Sequence, residues 1–118
     1  MASTPRSRKS KGRRLQNDVR DSILKLFEGV LEQDDVQSAI MGESGTDVKL
    51  SPLARRLFPY SVECKNQEKM NIWASLKQAE ENVKDGTTPI LIFKRNHTKT
   101  YVTMEYDKFL ELIKDKQS

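Results

Sequence analysis

The 118 residues predict an α/β fold: a small mixed central β-sheet flanked by helices, in the order α-β-β-α-β-β-α. Three observations carry that expectation. Apolar residues recur at three-and-four spacing in three stretches, two short segments alternate apolar with polar, and Pro89-Ile90-Leu91-Ile92-Phe93 is an unbroken apolar run. The length suits one domain with a modest core.

Taken in order, Leu15, Val19, Ile23, Phe27 and Val30 form one helical stripe with Leu26 beside it, and Gly29 marks the end. After the polar Glu32-Gln33-Asp34-Asp35, Val36 to Ile40 has room for one extra short strand. Two glycines in the Met41–Thr46 stretch indicate a turn, and Asp47-Val48-Lys49-Leu50 begins a strand that Ser51-Pro52 stops. Pro52 to Phe58 fits a single helical turn. Ser61 to Lys65 then reads as the second strand of a hairpin, with Val62 and Cys64 on one face and Ser61, Glu63 and Lys65 on the other. From Lys69 to Lys84 the period is helical, with an apolar line Ile72, Leu76, Ala79, Val83. Beside it runs an uncharged polar line, Asn71, Ser75, Gln78, Asn82, which suits either a half-buried face over a site or plain helix surface. Asp85-Gly86 closes that helix. The run at Pro89 is an interior strand, Tyr101 to Met104 another strand, and Tyr106 to Lys114 a last helix with Phe109, Leu110 and Ile113 inward.

Charge is unevenly spread. The net charge is +4, yet Arg6, Arg8, Lys9, Lys11, Arg13 and Arg14 stand in the first 14 residues with no acid among them. The remaining 15 basic residues are outnumbered by 17 acids, a balance of −2. We therefore divide the chain into a basic, flexible arm over residues 1–14 and a folded domain over 15–118. The arm is either a solubilising tail or a nucleic-acid contact; without apolar anchors it does not suit a membrane surface. No run approaches the roughly 18 apolar residues of a membrane span, and the N-terminus lacks the apolar segment of a secretory signal. A single cysteine excludes an internal disulfide and fits a cytoplasmic setting. One His and one Cys leave no zinc site of the usual ligand types.

The charges at Glu63 and Lys65 then need a reason. Taken alone, Glu-x-Lys on a strand is an ordinary exposed ion pair. If the two strands pair, however, Asp47, Glu63 and Lys65 converge. Two such carboxylates repel, and a hard oxygen donor set suits Mg²⁺ or Mn²⁺. The cation with a neighbouring ammonium constitutes the parts needed to hydrolyse a phosphodiester.

The chain resembles the PD-(D/E)xK nuclease superfamily, and within it small phage-encoded endonucleases and archaeal-type Holliday junction resolvases. The resemblance is carried by Lys-Gly-Arg-Arg-Leu-Gln at 11–16, Gly-Thr-Asp-Val at 45–48 and Val-Glu-Cys-Lys at 62–65. The helix beginning Asn71-Ile72-Trp73 and the strand from Pro89 add to it, so it spans about Lys11 to the C-terminus. It implies a restriction-endonuclease-like core and a Mg²⁺-dependent endodeoxyribonuclease that cuts branched DNA such as a Holliday junction. It also implies a homodimer and, for a phage product, the cytoplasm of an infected bacterium. Under it Asp47 and Glu63 are metal ligands, the main-chain carbonyl of Cys64 a further one, Lys65 the catalytic lysine, and Gln78 a glutamine near the site. Gln16 falls where such resolvases carry a glutamate. Its neutral oxygen should weaken a second metal, and it could instead hold a water or a phosphate.

Two alternatives stay open: a non-catalytic DNA-binding module retaining the fold, and a nicking or restriction-like nuclease. The side chain of Cys64 is expected in the core. His97 lies in a polar turn, Trp73 is partial core or an oligomer contact, and Arg55 and Arg56 either touch phosphate or line a solvated turn.

Overall fold

The computed structural model describes residues 4–40 and 42–117. Helix α1 (Pro5–Leu26) opens on Thr4, whose hydroxyl accepts the Ser7 N–H at 3.1 Å, with Pro5 in the first turn. It starts at Pro5 rather than at Leu15. The residues expected as an arm, from Pro5 to Arg14, are helical; residues 1–3 lie outside the described ones. Arg and Lys are good helix formers, and adding turns to an already packed helix avoids the cost of a new nucleus. Leu15, Val19 and Ile23 are buried as their spacing predicts. Val30 is exposed because the helix ends before reaching it.

Strands β1 (Val36–Ser38), β2 (Val48–Leu50), β3 (Tyr60–Asn66), β4 (Thr88–Lys94) and β5 (Tyr101–Thr103) form one sheet in chain order. Only β3 and β4 run parallel; the other neighbours are antiparallel, so the sheet is mixed. The short strand near Val36 is real and forms the edge. Between β2 and β3 stands helix α2 (Pro52–Leu57), capped by Ser51 Oγ accepting the Ala54 N–H, so these strands pair without a tight hairpin turn. The parallel pair needs a crossover, supplied by helix α3 (Ile72–Glu81).

The two helices cover opposite faces. Val62 and Cys64 join Leu15, Val19, Ile23 and Ile90 in the main core on the α1 side. Ser61 and Glu63 face the end of α3: Ser61 Oγ accepts the Lys84 N–H at 2.9 Å, and Asn82 reaches Glu63. The buried residues of α3 are Ser75 from the polar line and Ala79 from the apolar one, so its inward face falls between the two lines and leaves Ile72 and the following Val83 exposed. A helix over Glu63 gains little from presenting large apolar side chains to it.

Helix α4 (Tyr106–Gln117) departs from expectation. Phe109, Leu110 and Ile113 are 47%, 45% and 43% exposed. Strand β5 is three residues long with Tyr101 and Val102 themselves exposed, and Leu112 of α4 borders an open apolar groove with β4 and β5. Among the described residues, no helix is long and apolar enough to cross a membrane.

Candidate active site

The β2–β3 ladder has a single registered pair, Val48 with Val62. Beyond it the backbone bonding changes hands. The Asp47 N–H donates to the Val62 carbonyl at 2.9 Å, and the Cys64 N–H donates to Asp47 Oδ2 at 2.7 Å. A side-chain carboxylate thus takes the place of a strand carbonyl. Gly45, at φ 100, sits in the left-handed region that glycine tolerates and turns the chain into this position.

Asp47 is brought close enough to Glu63 for each carboxyl group to affect the ionisation of the other. Glu63 is buried, only 3% exposed. Burial first and the Asp47 charge second push its pKa up to about 7, while the Asn82 amide and the Lys65 charge pull the other way. Asp47 is also raised by burial, against the Cys64 N–H and the charge of Lys65. Lys65 is therefore close enough to act on both. Asp47, Glu63 and Lys65, separated in sequence, meet at one place.

Cys64 lies in the core with its thiol pushed upward by burial. The N–H and C=O of one strand residue point to the same side, so its carbonyl projects with its N–H toward Asp47, past the end of the ladder. Gln16, on α1, lines a cavity of about 220 Å³ together with Asp47, Lys9, Gly12 and Arg13. Its Oε1 accepts from Ser38 Oγ at 3.1 Å. Gln78 is exposed, whereas Asn82, one turn further along α3, donates to Glu63 Oε2 at 3.5 Å. Asn82 had a signal, its place at the end of the polar line Asn71-Ser75-Gln78-Asn82, but spacing alone did not say which member would reach the strand.

Of the basic residues in the first turns of α1, Lys9 and Arg13 line the Asp47 cavity. Lys11 contributes its main-chain carbonyl, which accepts from Asn66 Nδ2 at 3.1 Å. Arg6, Arg8 and Arg14 are exposed on the same helix. His97 is exposed in the β4–β5 turn with φ 64, and Trp73 is 78% exposed.

Among the described residues, no three His, Cys, Asp or Glu side chains group to hold a metal ion. The donors that do converge are two carboxylates and, by strand geometry, one carbonyl. All are hard oxygens, and the carboxylates are held close at the cost of mutual repulsion that a cation relieves. That set fits a divalent cation of the Mg²⁺ or Mn²⁺ class, which ordinarily keeps several waters and needs only one or two carboxylates. A family model described as "Phage putative PDDEXK endonuclease" matches residues 7–118. No curated protein and no solved structure matches the chain significantly.

Proposed function

The chain belongs to this family of phage PDDEXK endonucleases, and from that premise we propose that it is a divalent-metal-dependent endodeoxyribonuclease acting on branched DNA such as a Holliday junction. The observation that carries the metal-dependent reading is the half-buried Asp47 against the buried Glu63, with Lys65 beside them. Asp47, Glu63 and the Cys64 carbonyl would hold the cation. When bound, it supplies Lewis-acid polarisation of the phosphate and a more acidic water nucleophile. Lys65 orients that water and offsets the negative charge that grows as the phosphorus–oxygen bond breaks. Asn82 holds the Glu63 carboxylate in place, and Gln16 presents its amide to the cavity in front of Asp47.

Cleavage of a four-way junction, a linear duplex and a flapped duplex, each with Mg²⁺, Mn²⁺ or EDTA, tests this reading. Cutting that needs the metal and prefers the junction is expected. Equal cutting of all three would leave a nuclease of broader or nicking type. A second reading, a DNA-binding module without catalysis, is favoured by Gln16 standing where a third carboxylate would complete the site. Binding without cutting under every metal condition would establish it.

Lys9 and Arg13, beside Asp47, would position the substrate through its phosphates. Replacing both by Gln should weaken binding in EDTA and lower the slope of log affinity against log salt by about 2, roughly 0.9 per lost contact. An unchanged slope would reduce the basic turns of α1 to a solubilising role.

We also propose a homodimer, as two symmetric cuts in a junction require. Support comes from the exposed apolar stripe of α4 and from a largely apolar groove of about 550 Å³ where α1, β4–β5 and α4 meet. Sedimentation at micromolar concentration should give twice the chain mass and, with Phe109→Glu, the single mass. A wild-type monomer removes this part of the reading.

A further inference from the structure

A second cavity, of about 200 Å³ and with a mixed polar and apolar lining, opens next to the segment that leads into Asp47. Its wall includes Ser61, two residues before Glu63 and therefore on the same side of β3. It also includes Ser44, Gly45 and Thr46, the segment that leads directly into Asp47. The two cavities thus flank one loop. Lys49, Arg55 and Lys84 bring three positive charges to this wall, and none of its lining residues is acidic.

One of these charges is already answered, because Lys49 pairs with Glu43 just outside the cavity. Arg55 and Lys84 have no carboxylate partner among the described residues. Both are nonetheless anchored. Arg55 Nη1 donates to the Leu50 carbonyl at 2.8 Å, which fixes the guanidinium and leaves its other N–H groups available. The Lys84 main-chain N–H donates to Ser61 Oγ at 2.9 Å, which pins the residue to the strand while its ammonium stays uncommitted. A held guanidinium and a lysine anchored through its main chain, lining one small cavity with no acidic residue in its wall, suit an anion.

The position of the cavity suggests which anion. Two residues along a strand cover about 7 Å, a distance comparable to the spacing of neighbouring phosphates along one DNA strand. The last turn of α3 and the residues after it serve both places, since Asn82 touches Glu63 and Lys84 lines the cavity. We infer that this cavity binds the phosphate next to the scissile one, with Arg55 and Lys84 as its cationic ligands, and so sets which phosphodiester reaches the carboxylate pair. The identity of that phosphate rests on the nuclease reading; the anion site itself does not. Arg56, the neighbour in sequence, is exposed and outside the cavity lining.

The experiment measures binding of a labelled short duplex to the full chain in EDTA at several salt concentrations. Lys84→Gln and Arg55→Gln should each weaken binding several-fold and lower the salt slope by about 1. Arg55→Lys should keep the slope, and Lys77→Gln, on the far side of α3, should leave affinity and slope unchanged. Lys84→Gln spares the main-chain bond to Ser61, so it remains informative if Arg55→Gln fails to fold. With Mg²⁺, a substrate carrying one neutral methylphosphonate next to the cut should slow the wild type but not slow Lys84→Gln further. Wild-type affinity and slope in a folded Lys84→Gln, or equal losses in Lys77→Gln, would overturn the inference. A wild type that binds but never cuts would overturn the nuclease reading instead, and the salt slopes would still decide the anion site.

Discussion

Lys65→Met should lower DNA cleavage by roughly 10²–10³-fold, the usual loss when a group stabilising transition-state charge is removed. Affinity for uncut DNA in EDTA should fall by no more than one phosphate contact accounts for. The reason is position: Lys65 projects from β3 beside Asp47 and Glu63 and acts on both electrostatically, so its charge lies where the phosphate would react. Glu63→Gln and Asp47→Asn should reduce cutting to background, since each removes one of the two carboxylates proposed to hold the cation. These near-isosteric changes keep the strand pairing, which circular dichroism and melting temperature would verify. Wild-type cleavage by folded Lys65→Met would rule out its catalytic role.

In EDTA, the stability of the wild type should fall as pH rises from about 4.5 to about 7, the interval between the ordinary and the folded-state pKa of Glu63. The sign follows from proton counting. A carboxyl with a raised pKa holds its proton longer in the folded chain than in the unfolded one, so raising the pH favours unfolding until both states are ionised. At 1.36 kcal/mol per pKa unit the loss is on the order of 3 kcal/mol. Glu63→Gln should abolish that slope and be the more stable protein at pH 8 without metal. Added Mn²⁺ should reverse the ranking at pH 8 and raise the melting temperature of the wild type more at pH 8 than at pH 6, because the cation displaces a proton. Urea unfolding across this range, with and without Mn²⁺, measures both. Stability that is flat or rising between pH 4.5 and 7 in EDTA would show that the pair does not share a buried site.

The sheet was legible in alternation, and so was the approach of Asp47 to Glu63 and Lys65 once the two strands pair. Alternation placed Val62 and Cys64 in the core and Glu63 and Lys65 opposite, and that is where they stand. Helix limits were less legible. The basic turns before Leu15 carry no apolar period, so periodicity could not see that α1 extends through them. The stripe of α4 was read as inward because an amphipathic helix ordinarily finds a partner surface, and spacing within a helix does not say whether its stripe docks. Asn82 and Arg55 were half legible: the polar line included Asn82 and the turn offered Arg55 to phosphate or solvent, but where crossing segments come to rest is a tertiary fact.

The bond from the Cys64 amide to Asp47 has a consequence for how such a protein could decay. Loss of that carboxylate would strand a part-buried amide donor, at about 1–3 kcal/mol, besides ending any chemistry. A lineage that abandoned catalysis would therefore be under pressure to retain this aspartate, or an asparagine with the same acceptor oxygen, for its fold, while Lys65 could drift without leaving such a gap. Among descendants, the lysine is the more faithful record of activity, and the aspartate chiefly a record of the sheet.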